Sequence, residues 1–351
     1  MATQADTAVV VGTVSDYLTA KGDAKLYNIN LPAGVYLQAQ LTTPANADLD
    51  YDLYLLDAEG NILTGSDYYT YINGTAGTLP EALGYITSGD TATYYLYVLA
   101  SEGGSVSESF TLDYSVSTAC DSYEIDESVR QALAFTYGAG GAYIESRNLS
   151  SPIDNDWYVI TVPSSRIYDK LKISATTAST NTCSVEVYQN VASEGYQMKR
   201  VGSGNTISVS SGKYYIRVSN AKTMENFDDL DIQNYKLSIT PILKATGIVI
   251  TDLKGSEGLN KVVNYPGYGA HFRTQGSGTL TVYGVLTATD SSTGVTYAVG
   301  GEQINGLYYS PAWEANNTSA NAIRRGTGTT DSSGKFEIDI SLPCLLYTSD
   351  A

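Results

Sequence analysis

Apolar and polar residues alternate with a period of two through most of this chain. The pattern is clearest in FTLDYSV (110–116), YKLSI (235–239) and KFEIDISL (335–342). In an extended strand, such alternation places one set of side chains in a core and the other in solvent. Turn sequences such as PAG (32–34) and AEGN (58–61) separate the alternating runs. The sequence therefore predicts an all-β fold built from antiparallel β-sandwiches.

The charge of the chain is strongly acidic and unevenly placed. The formal net charge is −17, and residues 1–116 hold fourteen acidic residues against only Lys21 and Lys25. Nucleic-acid binding requires Lys and Arg to neutralise phosphates, so this balance argues against a nucleic-acid partner. It suits a soluble protein that works outside the cell, or one whose carboxylates hold divalent cations.

The two ends of the sequence bear on where the protein works. No apolar run reaches the roughly 18 residues of a membrane-spanning helix. Residues 1–10 lack the basic start and apolar core of a secretory signal, so the chain is either cytosolic or a piece of an exported protein whose start is missing. CLLYTSDA (344–351) follows the last strand pattern abruptly and resembles a translated sequencing adapter. We therefore expect a non-native tail, a fragment, and an extracellular or cell-surface location.

An internal repeat is visible when the chain is compared with itself. Three pairs of segments match in order: KLYNINLPAGVYLQAQL (25–41) with DWYVITVPSSRIYDKLKI (156–173), TATYYLYVLA (91–100) with SGKYYIRVSN (211–220), and SFTLDYSV (109–116) with NYKLSITP (234–241). Two sandwiches in tandem are therefore predicted, joined near residues 117–122. A third unit of a different kind begins after Pro241.

Short motifs in the two repeats point to a known family. They are LPAG (31–34), DYDLYLLDAEG (50–60) and TYYLYV (93–98) in the first repeat, and EIDES (124–128), DNDWY (154–158) and GKYYIRV (212–218) in the second. With these motifs the repeats resemble bacterial pre-peptidase C-terminal (PPC) domains, which are jelly-roll-like β-sandwich modules attached to secreted peptidases and other exported proteins. EIDES lacks the family's proline, and GDAKLY has Lys25 where a second Asp is expected. The first repeat also lacks the acidic opening, which indicates a truncated N-terminus.

The third unit carries TLTVYGVLTATDSSTGVTYAV (279–299) and TTDSSGKFEIDISLP (329–343). These segments resemble prealbumin-like or Ig-like sandwich modules of bacterial surface and secreted proteins. We predict PPC-like sandwiches at residues 1–117 and 118–242, an Ig-like or prealbumin-like sandwich at 243–343, and the non-native tail at 344–351.

Five acidic residues of the second repeat form the first candidate site. They are Glu124, Asp126, Glu127, Asp154 and Asp156. In some PPC-like collagen-binding modules the two corresponding segments hold calcium, which takes six to eight oxygen ligands. The resemblance thus implies a calcium site that would tie the interdomain linker to the sandwich. The alternative is an ordinary acidic linker followed by aspartates at the start of a strand.

A second acidic stretch, DLDYDLYLLDAEG (48–60), imitates the spacing of an EF-hand calcium loop. Asp48, Asp50 and Asp52 alternate, and Glu59 is twelfth from Asp48. An EF-hand loop needs Gly at its sixth position, which here is Leu53. We therefore predict a strand and a turn instead, with the three aspartates on a solvated edge.

The sequence offers no set of catalytic residues. A nucleophilic triad needs a base, and the only histidine, His271, has no G-x-S-x-G segment to accompany it. Glycine-rich YGAGGAY (137–143) lacks the G-K-[ST] of a phosphate loop and is predicted as a turn. Cys120 and Cys183 have no zinc-ligand spacing, although they could pair as a disulfide. The protein is therefore predicted not to be an enzyme.

Two tyrosine-rich segments, SDYYTYING (66–74) and NGLYYSPAWE (305–314), are candidate ligand-binding loops. Exposed Tyr and Trp rings can stack on sugars or grip a peptide. The candidate residues are Tyr68, Tyr69, Tyr308, Tyr309 and Trp313. The alternative is that these rings fill a sandwich core or cover a sheet face.

The sequence as a whole favours non-catalytic accessory or adhesion modules of a secreted or surface-attached bacterial protein. They would act as spacers or bind an extracellular protein or a polysaccharide. Two alternatives stay open: accessory domains of a secreted peptidase whose catalytic domain lies outside this sequence, and a carbohydrate-binding module.

Overall fold

A computed structural model of the chain describes most of its residues. The described ranges are 10–46, 48–72, 75–76, 79–118, 120–177, 183–193, 195–203, 205–220, 233–256, 259–265, 269–274, 278–308 and 324–342. Within these ranges the structure is β-strand and turn, apart from one 3₁₀ turn at Val129–Gln131. The described strands pair antiparallel except at two places, where Leu133–Ala134 pairs with Asn155–Val162 and Tyr69–Ile72 pairs with Gln197–Ser203. The predicted all-β fold with antiparallel sheets is thus confirmed. No helix in the described ranges is long and apolar enough to cross a membrane.

The chain divides into two compact units. The first comprises residues 1–164 and 170–241, and the second comprises residues 165–169 and 242–351. Apart from residues 165–169 and 242, both predicted PPC-like repeats therefore fall within the first unit. The domain boundaries given above remain predictions.

The first repeat has ten strands in its described residues. They are β1 (Val10–Asp16), β2 (Ala24–Leu31), β3 (Tyr36–Thr42), β4 (Asp50–Leu56), β5 (Ile62–Ser66), β6 (Tyr69–Ile72), β7 (Thr75–Ala76), β8 (Glu81–Ile86), β9 (Ala92–Glu102) and β10 (Phe110–Ser117). Eight of them form two sheets, with strand orders β1-β10-β3-β8 and β2-β9-β4-β5. Both sheets contribute alternate residues to one core, such as Leu41, Leu53, Val98 and Leu112.

Nine strands are described in the second repeat. They are β11 (Leu133–Ala134), β12 (Ala142–Leu149), β13 (Asn155–Val162), β14 (Tyr168–Thr177), β15 (Ser184–Asn190), β16 (Gln197–Ser203), β17 (Thr206–Ser208), β18 (Gly212–Ser219) and β19 (Gln233–Leu243). One sheet has the order β12-β19-β14-β17, and the other contains β13-β18-β15-β16. These orders correspond strand for strand to those of the first repeat, so the predicted internal repeat is confirmed.

A hairpin of the first repeat joins the sheet of the second. Strand β6 pairs in parallel with β16, and β7 continues the sheet beyond it. Next to this pairing, Tyr68 packs edge-on against the buried Trp157, with ring centroids 6.3 Å apart. The two repeats therefore share hydrogen bonds and apolar contacts within the first unit.

The second unit has eight described strands. They are β20 (Gly247–Gly255), β21 (Leu259–Tyr265), β22 (Gly269–Thr274), β23 (Gly278–Thr289), β24 (Thr296–Ala298), β25 (Gln303–Tyr308), β26 (Arg324–Thr329) and β27 (Lys335–Leu342). Strand β23 pairs with β20, β24 and β27, while β21/β22 and β25/β26 form hairpins. In β27 the buried side chains alternate strictly, as its sequence predicts.

The EF-hand-like stretch folds as a strand and a turn, as predicted. Strand β4 ends in a turn in which the Asp57 amide donates to the Asn61 carbonyl at 3.0 Å. The prediction of a solvated edge is wrong, because β4 lies between β9 and β5 and Asp52 is only 7% exposed. The hydroxyl of Ser101 donates to Asp52 at 3.0 Å and satisfies one of its buried oxygens.

Candidate metal centre

The two acidic segments of the second repeat meet at one place. Among the described residues, carboxylate oxygens of Glu124, Asp126 and Asp156 lie within 4.8 Å of one another. Those of Glu124, Glu127 and Asp154 form a second such group, so Glu124 belongs to both. The structure thus brings together all five residues that the resemblance implied as a calcium site. We call these five residues the acidic cluster.

The loop that carries three of these acids lies against the first repeat. The hydroxyl of Tyr36 in β3 hydrogen-bonds to Glu124 at 2.8 Å and also contacts Glu127. Gln38 Nε2, on the same strand, donates to Glu127 at 2.7 Å. Gly84 of β8 permits this close approach, because a Cβ there would lie 2.6 Å from the Cγ of Glu127. The acidic cluster is therefore held between the two repeats.

Solvent is almost excluded from four residues of the acidic cluster, and Glu124 is partly buried. Asp126 and Glu127 are 1% exposed, and Asp154 and Asp156 are 0% exposed. Burial and neighbouring carboxylates raise the pKa of Glu124 to about 8. The same two causes raise the pKa of Asp126, Glu127 and Asp156 well above the usual range. A buried carboxylate is costly unless positive charge compensates it, so this cluster favours binding of a cation.

Several buried oxygens in the cluster have no hydrogen-bond partner among the described residues. They are Glu124 Oε1, Asp126 Oδ1, Asp154 Oδ1 and the Gln38 amide oxygen Oε1. Asp156 Oδ1 also accepts no hydrogen bond, but it lies 3.0 Å from the Arg147 guanidinium. The second oxygen of each acid is bonded; for example, Asp154 Oδ2 accepts from Ser150 Oγ at 2.8 Å. Buried polar atoms in folded proteins are nearly always partnered. Carboxylate and amide oxygens are the ligands that Ca²⁺ prefers, so these residues fit a calcium ion.

One basic residue, Arg147 of β12, lies inside the cluster and is fully buried. Its guanidinium forms ion pairs with Asp121 at 2.5 Å, with Asp156 at 3.0 Å and with Asp126. Its Nε donates to the hydroxyl of Tyr158 at 2.7 Å. Burial lowers the pKa of Arg147, but the charges of Asp156 and Asp126 outweigh this effect and raise the pKa overall.

A bulge in β12 accounts for the position of Arg147. The register with β19 shifts between Ile144 and Arg147, and Ser146 has a left-handed φ of 62°. Such bulges add a residue to one strand and re-aim the side chain that follows. Here the exposed Glu145 and Ser146 are followed by a side chain that points into the protein.

Sequence reasoning missed Arg147, Tyr36 and Gln38. Tyr36 and Gln38 belong to the other repeat, and no local spacing connects them with the acidic cluster. For Arg147 a signal was available in the comparison of the repeats, because it occupies the position of Asp16 in β1, which pairs with Lys25 at 3.0 Å.

Of the five residues predicted for an aromatic binding site, only Tyr68 has a described side chain. Tyr68 is 2% exposed and packs in a core cluster, so it offers no surface for stacking. The prediction for Tyr68 is wrong because the hairpin of the first repeat is covered by the second. Tyr69 and Tyr308 lie in strands, with side chains outside the described part of the chain, and Tyr309 and Trp313 lie outside the described residues.

The remaining candidates are placed as follows. His271 lies in strand β22, and its side chain is outside the described part of the structure. The glycine-rich segment YGAGGAY (137–143) forms the predicted turn. In it the Gly141 amide donates to the Gly138 carbonyl at 2.9 Å, and the two residues form an isolated β-bridge. Cys120 and Cys183 are not joined to each other by a disulfide.

No family model and no curated protein sequence matches the chain. Solved structures give distant matches. The CUB1-EGF-CUB2 domain of human MASP-1/3 matches at 10% identity with a TM-score of 0.19, covering 66% of this chain and 99% of its own. The PBSX exported protein XepA matches at 9% identity with a TM-score of 0.24, covering 66% and 86%. The CBM22-1-CBM22-2 tandem domain of Paenibacillus barcinonensis Xyn10C matches at 10% identity with a TM-score of 0.19, covering 68% and 92%. At such scores these likenesses carry no argument about function.

Proposed function

We propose that this chain is a non-catalytic module of an exported protein in which a calcium ion locks two tandem sandwiches together. The observation that carries the proposal is the pair of buried carboxylate oxygens with neither a hydrogen bond nor an ion pair among the described residues, Glu124 Oε1 and Asp154 Oδ1. A calcium ion supplies the positive charge that these oxygens lack. The loop at 121–128 contacts β3 of one repeat and precedes β13 of the other, so a bound ion would stiffen the junction.

A stiff pair of sandwiches is suited to spacing or presentation. It would hold a protein or polysaccharide partner, or a neighbouring enzymatic domain, at a fixed distance from the cell or from the rest of its chain. The resemblance to PPC domains supports export, and the lack of a histidine-based nucleophile motif in the sequence supports a non-catalytic role. Calcium sites of extracellular modules have Kd values of about 10⁻⁴–10⁻³ M, which matches the high calcium concentrations outside cells.

Thermal melting with and without calcium tests the proposal. At a calcium concentration of about 100 times Kd, binding to the folded state alone adds about 2.7 kcal/mol. For a unit of this size we expect a Tm increase of roughly 5–10 °C, which a chelator should reverse. Asp154→Asn removes a ligand and should abolish the increase, whereas Glu145→Gln, at an exposed acid of the same repeat, should retain it.

Two results would contradict the proposal. One is an equal Tm for the wild-type chain in calcium and in chelator. The other is an Asp154→Asn variant that still responds to calcium as the wild-type chain does. In chelator we expect this variant to melt no lower than the wild type, because an amide is less costly to bury than an uncompensated carboxylate.

A further inference from the structure

The acidic cluster has two halves with different electrostatic surroundings. Asp126 and Asp156 both pair with the Arg147 guanidinium. Glu127 and Asp154 have no ion pair among the described residues, and their hydrogen bonds come from neutral donors such as Gln38 and Ser150. Positive charge is therefore already present in one half and lacking in the other.

The Arg147 side chain is fixed in place. Besides its ion pairs, it bonds to the Tyr158 hydroxyl, which lies 2.5 Å from the Tyr235 hydroxyl. The guanidinium also lies 5.0 Å from the ring centroid of Tyr123. An arginine cannot lose its charge in a protein, so this guanidinium is a permanent cation at Asp126 and Asp156. A divalent ion placed between those two carboxylates would be repelled by it at close range.

The first repeat supports this structural role for Arg147. Asp16 and Arg147 occupy equivalent positions, opposite Phe110 in β10 and Tyr235 in β19 respectively. Their partners, Lys25 and Asp156, are also equivalent, since they lie opposite Val98 and Val218. The first repeat thus contains the same ion pair with its charges reversed. Pairing across these two strands is a property of the sandwich and needs no metal ion.

We infer that Arg147 acts as a built-in cation that limits the acidic cluster to one divalent ion, held by Glu124, Glu127 and Asp154. This inference rests on the proposed calcium site and specifies its stoichiometry. Each of the two groups of carboxylates, which share Glu124, has enough acids to hold a metal ion. In the group with Asp126 and Asp156, however, the Arg147 guanidinium already takes the place of a cation. The ion then lies on the side of Tyr36 and Gln38, where it joins the two repeats.

Equilibrium dialysis with Ca²⁺ counts the ions directly. The intact chain should bind one calcium at this cluster, and Asp154→Asn should bind none there. Asp126→Asn should keep one ion, with an affinity loss of about tenfold, the lower end of the range for residues that act on a metal through its ligands. Arg147→Gln frees the second half and should bind two ions at millimolar calcium. Glu145→Gln serves as the control and should match the wild type.

The outcomes separate the inference from the proposed function. No bound calcium on the wild-type chain would overturn both. Two ions on the wild type, or loss of all binding in Asp126→Asn, would overturn the inference and leave the calcium module standing. If Arg147→Gln fails to fold, calcium binding by Asp126→Asn and by Asp154→Asn is compared instead. Equal losses of bound calcium in these two variants would contradict the inference that only one half of the cluster holds the ion.

Discussion

At the scale of single residues, the acids of this protein are distinguished by what covers them. Asp48 is exposed, whereas Asp52, on the same face of the chain, is buried beneath neighbouring side chains. Burial, together with Asp52, Glu102 and Asp67, raises the pKa of Asp50 to about 7. An alternating row of aspartates is therefore not one surface but a series of different environments.

The raised pKa of Asp50 predicts a pH-dependent stability. The folded state binds a proton at Asp50 more tightly than the unfolded state, so this residue costs stability as pH rises from about 4 to about 7. Asp50→Asn should remove that cost and stabilise the protein by about 2 kcal/mol at pH 8, with little gain at pH 4. Urea unfolding at the two pH values measures the difference.

Asp48→Asn is the matched control for this prediction. Its side chain is exposed and belongs to the same acidic run, so we expect its effect to be small and equal at the two pH values. A gain from Asp50→Asn that does not change with pH would contradict the prediction.

At the scale of elements, strand β12 shows how an irregularity serves the site. A regular strand would alternate from the exposed Glu145 to a buried residue at 146, and Arg147 would then face solvent. The bulge instead leaves Ser146 exposed and buries Arg147. The bulge thus reverses the alternation at the one position where a cation is needed.

The left-handed backbone of Ser146 gives a prediction about this bulge. A β-branched residue is strained at a φ of 62°, so Ser146→Val should destabilise the first unit by about 1–2 kcal/mol. Ser146→Gly, which accepts this conformation, should stay within about 0.5 kcal/mol of the wild type. Chemical denaturation of both variants provides the measurement. Because residue 146 is exposed, equal effects of the two substitutions would show that the backbone is not under this constraint.

At the scale of the whole molecule, the two repeats share a β-sheet and hydrogen bonds, unlike independent domains joined only by a linker. The β6 strand of the first repeat extends a sheet of the second, and the acidic cluster takes its hydrogen-bond donors Tyr36 and Gln38 from β3. Residues 242–351, by contrast, belong to a separate compact unit. We therefore expect the repeats to unfold together and the second unit to unfold on its own.

Calorimetry of the intact chain tests this expectation. Two unfolding transitions should appear, and calcium should shift only the one that belongs to the first unit, because a ligand stabilises the unit that binds it. Glu127→Gln should reduce that shift and leave the other transition unchanged. Equal calcium shifts in both transitions, or three separate transitions, would contradict this picture of the molecule.

The sequence by itself determined the strands and the order of the repeats, whereas the approach of the two acidic segments was implied only by the resemblance to PPC domains. Alternation of side chains is a local property of an extended chain, and matching segments fold alike. The strands and the repeats can therefore be predicted without coordinates. The tertiary structure alone decided that Asp52 and Tyr68 are buried and that Arg147 lies among the acids. Whether a polar side chain meets solvent depends on segments distant in the sequence. Residues of the second repeat pack over Tyr68, Ser101 of β9 bonds to Asp52, and a bulge that no local pattern indicates turns Arg147 inward.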